Sequence, residues 1–361
     1  MNPIEDPKSS VKNFLILFTC AFALLAGCEE PPSKAQRDAA NPKPAEDSKE
    51  PAAKIRLVIY TSVDTQYAAQ ILNPWAAKNG VSPLVIIGDT EASKSVGLAE
   101  RLRSEKANPQ ADVWWGNEPF HTINLADEDL FEPYTPAFAS EVPDRYKDPK
   151  ARWTGVGLRA RVLAVSALHP VPANLDNLEG LKTPDLKGKI AMAKPRFSTT
   201  GGHIAALYVA WGPYRFRDFF SALRENDIKI LGGNSDVAEA VGRGTILVGI
   251  TDNDDIAAAT AAGLKLNLFL PDQKGMGTLT MPTTVALVKG AHEPDKARQL
   301  IDYLCSAEVE RQLIDMQYAG WSTREGPRDI KAMDVDYAVV ARKMPEALKL
   351  AQTVLEGREV K

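Results

Sequence analysis

From Ile55 onward, short apolar runs alternate with amphipathic stretches of helical period, and this alternation restricts the fold more than any other feature of the chain. Residues 56–60, 84–87 and 112–115 read as strands, with helices over 66–78 and 93–106. A second set follows the polar, Pro-containing stretch 133–152: strands over 161–166, 190–193, 228–231 and 245–250, and helices over 202–211, 215–225, 235–242 and 254–262. A β-rich run covers 278–288, one long helix is expected over 294–316, and helical packing over 334–356. Such alternation predicts an α/β fold with a mainly parallel sheet, each crossover being long enough for a right-handed βαβ unit. Two such sets make two lobes, and a return from the second to the first through 278–288 would make a hinge.

The 361 residues are 44% hydrophobic and 25% charged with net charge −4, a balance that suits a globular protein and offers no basic excess for nucleic acid. The first residues have another build. Lys8 and Lys12 precede the apolar run 14–26, which ends in Leu25-Ala26-Gly27-Cys28, the form of a secretory signal with small residues at its cleavage site. That tetrapeptide also resembles the bacterial lipobox, in which the cysteine becomes lipidated, so Cys28 is the expected anchor and 1–28 a lipoprotein signal. Residues 29–53, rich in Pro, Ala, Lys, Glu and Asp without apolar period, read as a disordered tether. Of three cysteines only Cys305 lies in the folded part, as a small buried residue. The chain is thus expected in the bacterial envelope, extracytoplasmic, touching the membrane through its lipid alone, and monomeric.

Ligands of open α/β sheets bind beyond the carboxyl ends of the strands. The loops there carry Thr61, Ser62 and Asp64; then Asp89, Thr90, Glu91, Ser93 and Lys94; then Asn117 and Glu118; and finally Thr251, Asp252, Asn253, Asp254 and Asp255. Any one of these acids could cap the helix that follows. Three acids in four positions repel one another unless a cation offsets them, so Asp64, Glu118, Asp252, Asp254 and Asp255 form a candidate metal or cation site. Ser198, Thr199, Thr200 and Gly201 open a helix with hydroxyls and glycine amides, a pattern suited to an anion. Thr61, Ser62, Thr90 and Asn117 are further cleft candidates. Trp114 and Trp115 adjoin Glu118; strand alternation sends them to opposite faces, and an aromatic wall beside acids would suit an organic ammonium. Arg159 and Arg161 could support the anion or pair with surface acids, and the surface reading is preferred because most exposed charges are solvated.

The segments Val58-Ile59-Tyr60-Thr61-Ser62-Val63-Asp64, Ala111 to Glu118, Lys187-Gly188-Lys189-Ile190 and Ser198-Thr199-Thr200-Gly201-Gly202 together resemble the periplasmic ferric-iron-binding proteins of ABC importers, solute-binding family 1, over about residues 55–324. The resemblance implies a type II periplasmic-binding-protein fold: two α/β lobes, 54–158 with 280–330 and 159–279 with 331–361, joined by hinge-crossing strands. It implies capture of ferric iron with phosphate or carbonate as synergistic anion and delivery to a permease, with no catalytic cofactor. Asp64 falls where a histidine ligand is common, and Glu118 near the ligand glutamate. Many relatives carry adjacent tyrosines after the strand at 245–250, whereas this chain has Asp252-Asn253-Asp254-Asp255. An aminophosphonate, polyamine or other cationic organic solute is therefore the alternative cargo. A glycoside hydrolase using two acids is a weaker one, because no hydrolase or nucleotide motif is present and His121, His169, His203 and His292 have no ligand spacing.

Overall fold

A computed structural model describes residues 55–88, 95–196 and 198–358. The signal, Cys28 and tether expectations lie outside these residues, as does Thr90 with its neighbours 89–94.

In chain order the first half contains β1 (Ile55–Thr61), α1 (Thr65–Lys78), β2 (Val81–Gly88), α2 (Val96–Ser104), β3 (Val113–Gly116), α3 (Pro119–Asp127) and β4 (Phe131–Glu132). Then come β5 (Thr154–Ser166), β6 (Ile190–Ala193), α4 (Ser198–Glu225), β7 (Lys229–Leu231), α5 (Asn234–Gly242), β8 (Val248–Asp252), α6 (Asn253–Ala261) and β9 (Leu266–Phe269). The chain ends with β10 (Thr280–Val288), α7 (Pro294–Leu304), α8 (Ala307–Asp315) and α9 (Tyr337–Leu355).

The strands run in the order β2-β1-β3-β10-β5-β8-β6-β7, with β4 added to β10 and β9 to β5. Pairing is parallel within β2-β1-β3 and within β8-β6-β7, where helices make the crossovers, and antiparallel around β10 and β5. The run at 278–288 does return to the first half, as β10 beside β3. A second link is β5, thirteen residues long: its start pairs with β10 and its end, from Arg161, with β8. Reading a strand only over 161–166 captures the second half of this element.

The pairing of β5 with β10 skips Gly157, with Pro282 opposite Leu158 and Thr283 opposite Val156; its φ of +63° favours glycine, and an added Cβ would meet the Ala319 Cβ at 3.0 Å. Its amide donates to Glu310 Oε1 at 2.9 Å. Glu310 also accepts from Thr323 N at 2.8 Å, from the Thr323 hydroxyl, and from Arg324 Nη1 at 2.8 Å. The bulge is thus held by one buried carboxylate.

Two expectations change locally. The helix expected over 294–316 is broken after Leu304, because Ser306 is extended and its Oγ accepts from Val309 N at 3.3 Å, capping a new helix. Cys305 sits at that break, buried as expected. Helix α4 joins the two helices expected over 202–225 across a kink at Gly212 and Pro213. Trp114 and Trp115 are both fully buried in cores on opposite faces of β3. Trp114 Nε1 donates to Thr122 Oγ1 at 2.8 Å, so neither ring forms a wall beside the acids.

Candidate functional site

The parallel strands end toward one region, and the residues just past them meet there. Ser62 follows β1, Asn117 follows β3, Ser95 precedes α2 and Ser198 opens α4. Ser95 Oγ lies 3.0 Å from Ser62 Oγ and 2.8 Å from Asn117 Oδ1, and Asn117 Nδ2 donates to Ser198 Oγ at 2.9 Å. All four residues are buried. Three segments of the first half thereby touch the helix start of the second through hydroxyls and one amide. Ser198 holds φ +44°, a strained setting for a side-chain-bearing residue at a helix start. The other expected members of this loop also face inward: Thr199 Oγ1 donates to Asp252 Oδ2 at 2.6 Å and Thr200 Oγ1 to Asn234 Oδ1 at 2.9 Å, while Gly201 packs beneath Pro195 and Leu348. Thr61 instead serves the sheet, its Oγ1 donating to Trp115 O at 2.9 Å.

Beside this cluster lie the acids. Strand β8 extends through Asp252, further than a strand over 245–250, and places it directly opposite Arg161 of β5. Arg161 Nη1 donates to Asp252 Oδ1 at 2.7 Å. Two residues earlier, on the same face of β5, Arg159 donates to both oxygens of Asp254 at 2.6 Å, to Asp252 Oδ2 at 3.1 Å and to Asn117 O at 3.2 Å. Its guanidinium also lies 4.9 Å from the Tyr318 ring centroid. Both arginines are about 2% exposed or less, so the expectation that they pair with surface acids is wrong. Buried guanidinium groups need carboxylate partners, and the register of β5 against β8 supplies them.

The electrostatics separate the two acids. Burial opposes the Asp252 charge, but Arg161 and Arg159 prevail and hold its carboxyl below the usual range. Burial, with Asp252 and Asp64 adding to it, pushes Asp254 up to about 6 against the pull of Arg159. Asp255 belongs to the helix start: it accepts from Thr251 Oγ1 at 3.1 Å and Ser235 Oγ at 3.2 Å. One carboxylate oxygen from each of Asp252, Asp254 and Asp255 lies within 4.8 Å of the others.

Asp64, Tyr67, Ser235, Glu239, Asp254 and Asp255 line a cavity of about 440 Å³ between the start of α1 and helices α5 and α6. No basic side chain is among the described residues lining it. Burial, and then the charges of Asp254, Asp64 and Asp255, raise the Tyr67 phenol. Thus Asp64, Asp254 and Asp255 share a wall, while Asp252 sits behind with the arginines. Glu118 lies elsewhere: fully buried, it caps α3 by accepting from Phe120 N at 2.6 Å and contacts His121 Nδ1 at 2.8 Å. His203, beside Arg161 and Asp252, is held neutral by burial, its value pulled down to about 3.

Sequence reasoning missed Asn234, Ser95, Tyr67 and Glu239, and it preferred the surface role for Arg159 and Arg161. For the arginines a signal existed: two cations two residues apart in an apolar strand share one face, and Asp252 and Asp254 repeat that spacing.

Residues 57–316 match the model of the bacterial extracellular solute-binding protein family. The chain belongs to that family. Iron uptake protein A1 of Synechocystis is 25% identical over 278 residues, spanning 74% of this chain and 76% of that one. A 2-aminoethylphosphonate-binding periplasmic protein of Salmonella typhimurium, described as putative, is 24% identical over 230 residues, 61% of this chain and 65% of that one. Among solved structures, iron-bound HitA of Pseudomonas aeruginosa superposes with TM-score 0.75 at 20% identity, covering 83% of this chain and 99% of that one. The fold is the two-lobed α/β fold of ferric-binding periplasmic proteins, and the family binds solutes for ABC-type import without catalysing a reaction on them. No helix among the described residues is long and apolar enough to cross a membrane.

Proposed function

We propose that this solute-binding protein captures ferric iron together with an anion such as phosphate or carbonate and presents it to an importer permease. The observation that carries this is the cavity walled by Asp64, Asp254, Asp255 and Glu239 with a phenol, Tyr67, beside them. Hard oxygen donors suit a hard cation, and no basic side chain is among the described residues lining the cavity. The Ser62, Ser95, Asn117 and Ser198 cluster supplies hydroxyls and an amide for the anion, and the Thr199 to Gly201 turn supports it at the start of α4. A lipid on Cys28 and the tether 29–53 would keep the two lobes near the permease, the lobes being 54–158 with 280–330 and 159–279 with 331–361.

A second reading has its own support. Asp252 and Asp254 stand where ferric-binding relatives commonly carry paired tyrosines, and both already hold arginines. A zwitterion such as 2-aminoethylphosphonate would place its ammonium in the acidic cavity and its phosphonate among the hydroxyls.

Equilibrium dialysis of the protein against ferric citrate with phosphate, and separately against 2-aminoethylphosphonate, decides between them. Iron retention that Asp64→Asn and Asp254→Asn abolish supports the first reading. Retention of the phosphonate without iron selects the second, and retention of neither refutes both.

A further inference from the structure

The acids of a cation site would ordinarily be left to the cargo, yet here Arg159 already occupies two of them. Its Nε and Nη2 meet Asp254 Oδ1 at 3.1 Å and Oδ2 at 2.6 Å, and Nη2 also reaches Asp252 Oδ2 at 3.1 Å. From the same fork, Nη1 donates to Asn117 O at 3.2 Å, a carbonyl just past β3, so the arginine joins the loop after β3 to the start of α6. Tyr318 covers one face of it, and the Tyr318 ring lies 4.9 Å from Tyr67, which lines the acidic cavity. Arg159 is therefore the partition between that cavity and the hydroxyl cluster around Asn117.

We infer that Arg159 is a specificity-determining residue, a built-in counter-cation that occupies the Asp252 and Asp254 carboxylates and makes a metal compete with it for them. The inference rests on the reading of the cavity as a cation site. Three observations support it. The pairing uses the planar fork: Nε meets Asp254 Oδ1 and Nη2 meets Asp254 Oδ2, while Nη2 also reaches Asp252, an arrangement a point-charge ammonium would not reproduce. Asp252 does not need Arg159 for neutralisation, because Arg161 Nη1 holds it at 2.7 Å and Thr199 Oγ1 at 2.6 Å. Asp252, Asp254 and Asp255 also already offer oxygens within 4.8 Å of one another, the spacing a single ion could bridge. With Arg159 in place a guest meets Asp64, Asp255, Glu239 and an Asp254 carboxylate that it shares with the arginine. Without the arginine, Asp254 is fully available and Asp252 becomes so as well. The arginine thus lowers the affinity for bare multivalent ions and favours a guest that brings its own anion.

The test uses terbium(III), a hard trivalent ion whose luminescence is sensitised by nearby aromatic rings such as Tyr67 and Tyr318. Wild-type protein, Arg159→Gln and Arg159→Lys are titrated after their folding is checked by circular dichroism and melting. A gain of about tenfold or more in terbium affinity for Arg159→Gln, about 1.4 kcal/mol or more, with a smaller gain for Arg159→Lys, is the expected result. A purely structural arginine would give a loss or no change. Should Arg159→Gln not fold, Arg159→Lys carries the test, and terbium affinity equal to wild type in that folded variant overturns the inference. Parallel dialysis with ferric citrate and 2-aminoethylphosphonate keeps the cargo reading separate. A terbium gain with neither cargo bound sinks the cargo reading and leaves the arginine's role, whereas tight iron binding unchanged by either variant, without a terbium gain, does the reverse.

Discussion

Two buried carboxylates in this molecule meet opposite surroundings. Glu310, at the bulge of β5, is encircled by donors: the Gly157 and Thr323 amides, the Ser322 and Thr323 hydroxyls and the Arg324 guanidinium. Burial opposes its charge, yet these bonds hold its carboxyl below the usual range. Asp254, at the start of α6, has one arginine and is crowded by Asp252 and Asp64, and its value rises to about 6. The first acid is neutralised for the sake of the fold. The second keeps an excess of negative charge at a cavity, which is where binding chemistry is expected. The difference separates the support of β5 from the candidate cation cavity more clearly than burial does, since both residues are about equally hidden.

The largest effect that could break this comparison concerns stability. Glu310→Ala leaves the Arg324 guanidinium and several donors without their acceptor, and urea unfolding should show a loss of about 3 to 5 kcal/mol. A loss under about 1 kcal/mol would mean that the carboxylate does not hold the bulge. Next, Asp254→Asn should lower affinity for the bound cation about tenfold or more while costing less stability than Glu310→Ala, because Asp252 still faces Arg159. Equal stability losses in the two variants would erase the distinction.

The pH dependence sharpens it further. A raised carboxyl takes up its proton first in the folded state, so Asp254 adds stability as pH falls from about 6 toward its ordinary 3.8, while the charge that binds a cation disappears. Glu310, lowered from 4.5, contributes fully above that value and loses its contribution as pH falls through its lower folded value. Terbium affinity should therefore decline between pH 7 and 5 while urea stability holds, with stability failing only below about 4.5. Both curves falling together would contradict the assignment. The smallest effect is expected at Ser198→Ala, which removes one hydroxyl from the Asn117 cluster. It should weaken anion-dependent retention by about 1 kcal/mol or severalfold, read by dialysis at several phosphate concentrations.

Much of the fold was legible because each strand and helix here announces itself by its own period, and the strand ends then point to the candidate loops. Asp64, Asp254 and Asp255 could be named in this way, as could Ser198 and Asn117. What local pattern does not carry is pairing between distant strands. The register of β5 on β8 sets Arg161 against Asp252 from ninety-one positions away, so two arginines that read as surface residues became the core of the site. Glu118 shows the reverse: a residue well placed to face the cleft turned back to cap its own helix, a choice that rests on competition with the free amides of Phe120 and His121. The break at Ser306 has the same origin, a local hydroxyl cap overriding a helical period that continues through it.

The central claim is that a positively charged guest sits in the cavity between the start of α1 and helices α5 and α6. Anomalous diffraction at the iron edge, from crystals grown with ferric citrate and phosphate, tests it most directly. The account predicts a single strong peak bounded by Asp64, Asp254 and Asp255 with anion density toward Ser198. Iron at any other place on the protein, or no ordered iron at saturating concentration, would contradict it.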